Sequence, residues 1–98
     1  MARSQHSQSK HDRKVQSLAE NLERQGFHVR ADLKGYEQPQ TIGGVRPDIV
    51  ASRPGERRIY EVETQDSVDT PRDEKQQAEF KKVADRSEKT TFRRFMAD

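Results

Sequence analysis

The four residues Arg53-Pro54-Gly55-Glu56 constrain this chain's fold more than any other short stretch. Proline pre-sets the backbone angle of a turn's first central position, and glycine accepts the left-handed angle that the next position often requires. On either side lie runs rich in β-branched and aromatic residues, 47–52 (PDIVAS) and 57–64 (RRIYEVET), so the stretch reads as a β-hairpin. A symmetric hairpin about Pro54-Gly55 sets Asp48 opposite Glu61 and Arg46 opposite Glu63. Side chains alternate between the faces of a strand, so Glu61 and Glu63 point the same way, beside Asp48. Val50 and Ile59 continue that face as an apolar surface. Three carboxylates then share one patch, although directly opposed like charges destabilise a sheet. A hard divalent cation bound through carboxylate oxygens resolves the conflict, and Mg²⁺ commonly takes one or two protein carboxylates with substrate phosphate and water. A solvated sheet face is the plainer reading; it accounts for any one of these acids better than for three together.

The flanking sequence supplies the rest of a small domain. Residues 1–9 are rich in Ser, Gln and His without periodicity and read as a flexible tail, leaving 10–98 as a single domain. Ser9 and Asp12 have capping-box spacing, and Val15, Leu18, Ala19 and Leu22 form one apolar helical stripe. The spacing predicts a helix over about 10–25, closed by Gly26. Phe27, Val29, Ala31 and Leu33 alternate with polar residues as a half-buried strand. Residues 34–45, with Gly35, Pro39 and Gly43-Gly44, form a loop. Thr70-Pro71 opens a second helix, with Asp73 in its first turn and Phe80, Val83 and Ala84 on its apolar side. Residues 90–96 make a last strand, in which Arg93-Arg94 break the alternation as on a sheet edge. The expected order is α-β-β-β-α-β, an α/β (α+β) sandwich with a mixed sheet flanked by helices.

Composition limits what such a domain can be. Only 29% of residues are apolar and 37% are charged, against norms of roughly 45–50% (glycine counted in) and 25%. The balance of 19 basic and 17 acidic residues keeps the net charge at +2, so the low apolar content does not by itself imply disorder. The core is thin, and a bound ligand or a second subunit that adds stability is expected. There is no cysteine, which excludes disulfides, thiolate metal sites and cysteine nucleophiles. No apolar run approaches a membrane span and residues 1–10 lack a signal-peptide core, so a cytoplasmic location and no membrane partner are expected. A net charge of +2 is a weak nucleic-acid footprint, and any such role has to come from a site.

Pro47-Asp48, followed thirteen residues on by Glu61-Val62-Glu63, resembles the PD-(D/E)XK signature of the restriction-endonuclease-like nuclease superfamily. The surrounding order is similar to that of small Holliday-junction resolvases and minimal RecB-like or VRR-type nuclease domains over about residues 10–90. Within the second helix, Gln76-Gln77-Ala78-Glu79-Phe80 resembles the Q-x-x-x-Y/F element of several such nucleases. The resemblance implies a restriction-endonuclease-like core and a metal-dependent endodeoxyribonuclease acting on branched or duplex DNA. Asp48 and Glu61 would ligate Mg²⁺ or Mn²⁺, with the Val62 carbonyl as a further ligand. Glu63 stands where the family usually has lysine. Some restriction enzymes carry E-x-E and cleave, which leaves Glu63 as a further ligand or general base and requires positive charge from elsewhere. The first helix lacks the glutamate that resolvase-like members often place near the metal; Val15 or Gln16 occupies that region.

Gln76, Phe80 and Val83 share a helical stripe, so an inward Gln76 could orient Glu63 or the scissile phosphate; a helix-start Gln at the surface is the equal alternative. Lys34 and Arg46 flank the acid patch as nucleic-acid contacts, and Lys81 joins them as a candidate cation. Asp66, Asp69, Asp73 and Glu74 read as solvated and helix-dipole charges. His6, His11 and His28 have no partner at ligand spacing and are assigned no role. A cleavage-silent nucleic-acid-binding or protein-interaction module of the same fold is the competing function, and a purely structural module is a third. The chain is too short for a separate specificity domain, so a homodimer or accessory component is expected.

Overall fold

A computed structural model describes residues 5–65 and 70–97, and within them every predicted element is present in the predicted order. These are α1 (Gln5–Arg24), β1 (His28–Ala31), β2 (Ile49–Arg53), β3 (Glu56–Glu63), α2 (Pro71–Asp85) and β4 (Thr90–Met96). The hairpin keeps its symmetric register, with Arg53 paired to Glu56 and Ile49 to Tyr60, and Gly55 takes a φ of 78°. β1 pairs antiparallel with β2, β2 antiparallel with β3, and β3 parallel with β4, giving a mixed sheet of order β1-β2-β3-β4. The parallel step needs a crossover, which α2 provides. β4 lies at the sheet's edge, as its two central arginines suggested.

The helices cover opposite faces of the sheet. Val15, Ala19 and Leu22 of α1 pack with Val29, Ala31, Ile49, Ala51, Tyr60 and Val62 in one buried cluster. Phe92 is in register with Ile59, one residue out of phase with Tyr60 and Val62, so it stands on the other face. There its ring lies 5.7 Å from that of Phe80, which is fully buried. Glu61 and Glu63 share the parity of Ile59 and belong to this α2 side. The composition made a thin core inevitable, and it is extended by cations over rings. The Arg53 and Arg58 guanidinium carbons lie 4.2 and 4.7 Å from the Phe27 centroid, and Glu56 bridges both arginines. Hydrogen bonds from Arg58, then Arg53, hold the Glu56 carboxyl below the usual range.

Two local expectations are corrected. The helix starts at Gln5 rather than near residue 10, so residues 5–9 of the expected tail are helical. The buried stripe also starts one turn earlier than its apolar members, at His11, which is 4% exposed and lies four residues before Val15. Ser9 is consequently interior to α1 and forms no N-cap; the Asp12 carboxylate instead accepts from Gln8 Nε2 at 2.9 Å. Residues 1–4, Asp66, Asp69 and the side chain of Asp73 lie outside the described residues. Among the described residues, no helix is long and apolar enough to cross a membrane.

Candidate functional site

Asp48 sits just before β2, where the backbone ladder has stopped, and carboxylates replace its rungs. Its N–H donates to Glu61 Oε1 at 2.9 Å, while its own Oδ2 accepts the Val62 N–H at 2.8 Å. Its carbonyl accepts the Asp32 N–H at 2.9 Å, so the residue is pinned from β1 and from β3 at once. The sequence dictates this arrangement. Pro47 has no N–H to continue the β2 edge, and the hairpin register delivers Glu61 opposite. A residue's N–H and C=O leave a strand on the same edge, so the Val62 carbonyl emerges beside Asp48.

The third contributor comes from α1. The His11 imidazole is buried, with Nε2 3.1 Å from Asp48 Oδ1 and Nδ1 3.1 Å from Asp12 Oδ1. One ring thus links a half-exposed carboxylate to a partly buried one, and a carboxylate on one ring nitrogen is what orients imidazoles in metal sites. His11, given no role from sequence, is the residue that sequence reasoning missed. The available signal was its position, since it continues the Val15-Ala19-Leu22 stripe by one turn.

Glu61 is 3% exposed. Burial first, then the charge of Asp48 and that of Glu63, push its carboxyl up to about 10, against the opposing effect of the Asp48 N–H. Glu63 is 2% exposed, and its influence on Glu61 puts it in the same electrostatic neighbourhood. Asp48, Glu61 and Glu63 thus lie close together, brought there by the β2 entrance and β3, and α1 adds His11.

The other predicted site residues are more scattered. Gln76 is half-buried on the stripe of α2 that carries buried Phe80, but among the described residues it makes no hydrogen bond to the carboxylates. Arg46 does not face Glu63. Strand pairing ends at Ile49, the chain turns away, and the Arg46 guanidinium donates to the Pro39 carbonyl. Lys34 does not flank the patch either; it lines a separate cleft of about 580 Å³ with Glu23, Phe27 and Tyr36. Lys81 is exposed on α2, and Lys82 is 3.5 Å from Glu79.

No protein-family model matches this chain, and no curated protein matches it in sequence. What the site can hold is therefore judged on its own donors. No group of three or more His, Cys, Asp or Glu side chains among the described residues stands arranged to hold a metal ion. The chemistry of the donor set nevertheless fits a hard divalent ion. Asp48 and Glu61 each commit one carboxylate oxygen to a backbone N–H, which fixes the group. Glu61 binds a proton at neutral pH, which a cation can displace. Two carboxylates with a backbone carbonyl suit Mg²⁺ or Mn²⁺.

Proposed function

We propose that this chain is a metal-dependent nuclease with a restriction-endonuclease-like core, hydrolysing phosphodiester bonds of DNA endonucleolytically. The observation that carries this reading is the reciprocal bonding of Asp48 and Glu61. Two acids thirteen residues apart are locked together by each other's strands, one of them buried and protonated, with His11 on the far oxygen of Asp48. Asp48, Glu61, His11 and the Val62 carbonyl would hold Mg²⁺ or Mn²⁺. When bound, such an ion polarises a phosphoryl oxygen and lowers the pKa of its water.

The chain's own residues do the rest. The backbone bonds fix both carboxylates before substrate arrives, so no reorganisation is needed as charge develops. Asp12 holds the imidazole from its other nitrogen. Glu63, buried on the Glu61 face, accepts a proton from water or completes the ligand set. Gln76, half-buried on α2, is left to orient the phosphate. Glutamate in place of lysine at 63 favours one other reading, a cleavage-silent module of the same fold that binds nucleic acid. Incubating DNA with the purified protein, with and without Mn²⁺ or Mg²⁺, beside Asp48→Ala and Glu61→Ala, separates them. Metal-dependent cleavage lost in both variants supports the nuclease; cleavage surviving in both removes it. Binding without product under any metal leaves the silent module.

A further inference from the structure

The charges of α1 are sorted to opposite flanks of its buried stripe. Asp12, Glu20 and Glu23 lie on the side of the 33–37 loop, where the Tyr36 hydroxyl donates to Glu23 at 2.9 Å. Lys10 and Lys14, on the other flank, line a groove of about 330 Å³ with Met96 of β4, and Arg13 and Ser17 stand on the ridge between the two flanks, bordering both. No acid lines this groove. Some cations outside the groove are paired, as Arg53 and Arg58 are with Glu56, Arg30 with Glu37 and Lys82 with Glu79. Lys10, Arg13, Lys14 and Arg93 form no ion pair with any described carboxylate. Like charges one helical turn apart, as Lys10 and Lys14 are, destabilise a helix.

Phe95 gathers two of these cations. Lys14 Nζ stands 6.0 Å from its ring centroid and the Arg93 guanidinium carbon 5.3 Å, so charges from α1 and β4 converge over one ring. The groove also adjoins the acid site. Lys10 precedes His11 in α1, and Met96 is in register with Glu63, whose carbonyl accepts the Ala97 N–H at 2.8 Å. We infer that this groove is the track for the phosphodiester backbone of a nucleic-acid strand, with Lys10, Lys14 and Arg93 on phosphates and Arg13 at its rim. The inference deepens the nuclease reading and rests on it for the fate of the bound strand. Lys10 and Lys14 are about 6 Å apart along the helix, close to the roughly 7 Å that two phosphate steps advance along a B-form strand. A lipid surface fits less well, because Met96 is the one exposed large hydrophobic among the described residues, too little for insertion. The whole-chain charge of +2 concealed the groove by averaging the two flanks.

The test is binding of fluorescein-labelled DNA, single-stranded and duplex in separate arms, followed by anisotropy in EDTA from about 50 to 200 mM salt. The triple variant Lys10→Gln, Lys14→Gln, Arg93→Gln is compared with Arg24→Gln and Lys89→Gln, which remove charges at the far ends of α1 and β4. Each lost phosphate contact lowers the salt slope by about 0.9 on duplex or 0.7 on single strands, so the triple variant loses about two to three units. Its affinity near 0.1 M salt falls by roughly a hundredfold, while the two controls bind as the parent does. Equal losses in both sets, no loss in either, or preference for phosphatidylserine vesicles over DNA overturns the inference. A cleavage assay keeps the two readings apart. Absent cleavage with the slope effect intact removes the nuclease alone, and undiminished cleavage by a triple variant with unaltered binding removes the groove alone.

Discussion

Replacing Glu61 by glutamine isolates the charge that the site is built around. The amide matches the carboxyl in shape and its oxygen can still accept the Asp48 N–H, now 2.9 Å from Glu61 Oε1. Burial and the neighbouring acids raise the folded-state value to about 10, from 4.5 in the open chain. A raised value means that the folded protein holds a proton the unfolded chain releases. This stabilisation is fully present below pH 4.5 and is lost as pH rises towards 10. One proton corresponds to a slope approaching 1.4 kcal/mol per pH unit in that window. Between pH 6 and 8 the metal-free parent therefore loses up to about 3 kcal/mol that Glu61→Gln does not lose. At about 4–8 °C per kcal/mol for a domain of this size, the two melting curves diverge by roughly 10–20 °C. Differential scanning fluorimetry in EDTA across that range reads the divergence directly. Adding Mn²⁺ should restore the parent at high pH, by about 1.4 kcal/mol at ten times the dissociation constant, and leave the variant unmoved. Parallel pH–Tm curves for parent and variant would refute the argument, because Glu61 would then carry no displaced proton.

Asp48→Ala leaves the Val62 N–H without its acceptor and should lower stability by about 1–3 kcal/mol in urea unfolding, as well as abolishing metal-dependent cleavage. His11→Ala removes the buried imidazole beside Asp48; the Mn²⁺-induced rise in Tm should shrink while the fold, followed by far-ultraviolet circular dichroism, persists. Gly55→Ala has open space for its methyl but sits at a φ of 78°, so the loss measured by urea unfolding should be conformational alone, about 1–2 kcal/mol. Phe80→Ala empties the α2 side of the core and should lower stability by about 3–5 kcal/mol, seen as a fall in the urea midpoint.

Local rules were sufficient wherever one residue forces one geometry. Pro54-Gly55 set a turn whose register carried Ile49 to Tyr60 and Asp48 to Glu61, and Pro71 occupies the first position of α2. The bounds of β4 were also legible, because Thr90, Phe92 and Phe95 punctuate a run without turn residues. What was not legible depended on partners remote in sequence. His11 is polar by type and becomes a core residue only because Asp48, 37 positions later, waits at the sheet's end; a search for apolar repeats passes over it. Arg46 and Lys34 lie on a connection whose path no periodicity fixes, and both were carried away from the acids. The basic groove exists only once β4 is laid beside β3 and brings Arg93 towards Lys14.

The two-residue turn between β2 and β3 also restricts how this protein can vary over time. Adding or deleting a single residue there would exchange the parity of everything downstream on β3, presenting the Tyr60 phenol to the acid pocket and a carboxylate to the α1 core. Length changes at this loop can therefore be inherited only in steps of two, or together with a bulge that restores the phase. The α2–β4 connection, which sets no side-chain alternation around Asp48, is free of that rule and is where insertions in related sequences should collect.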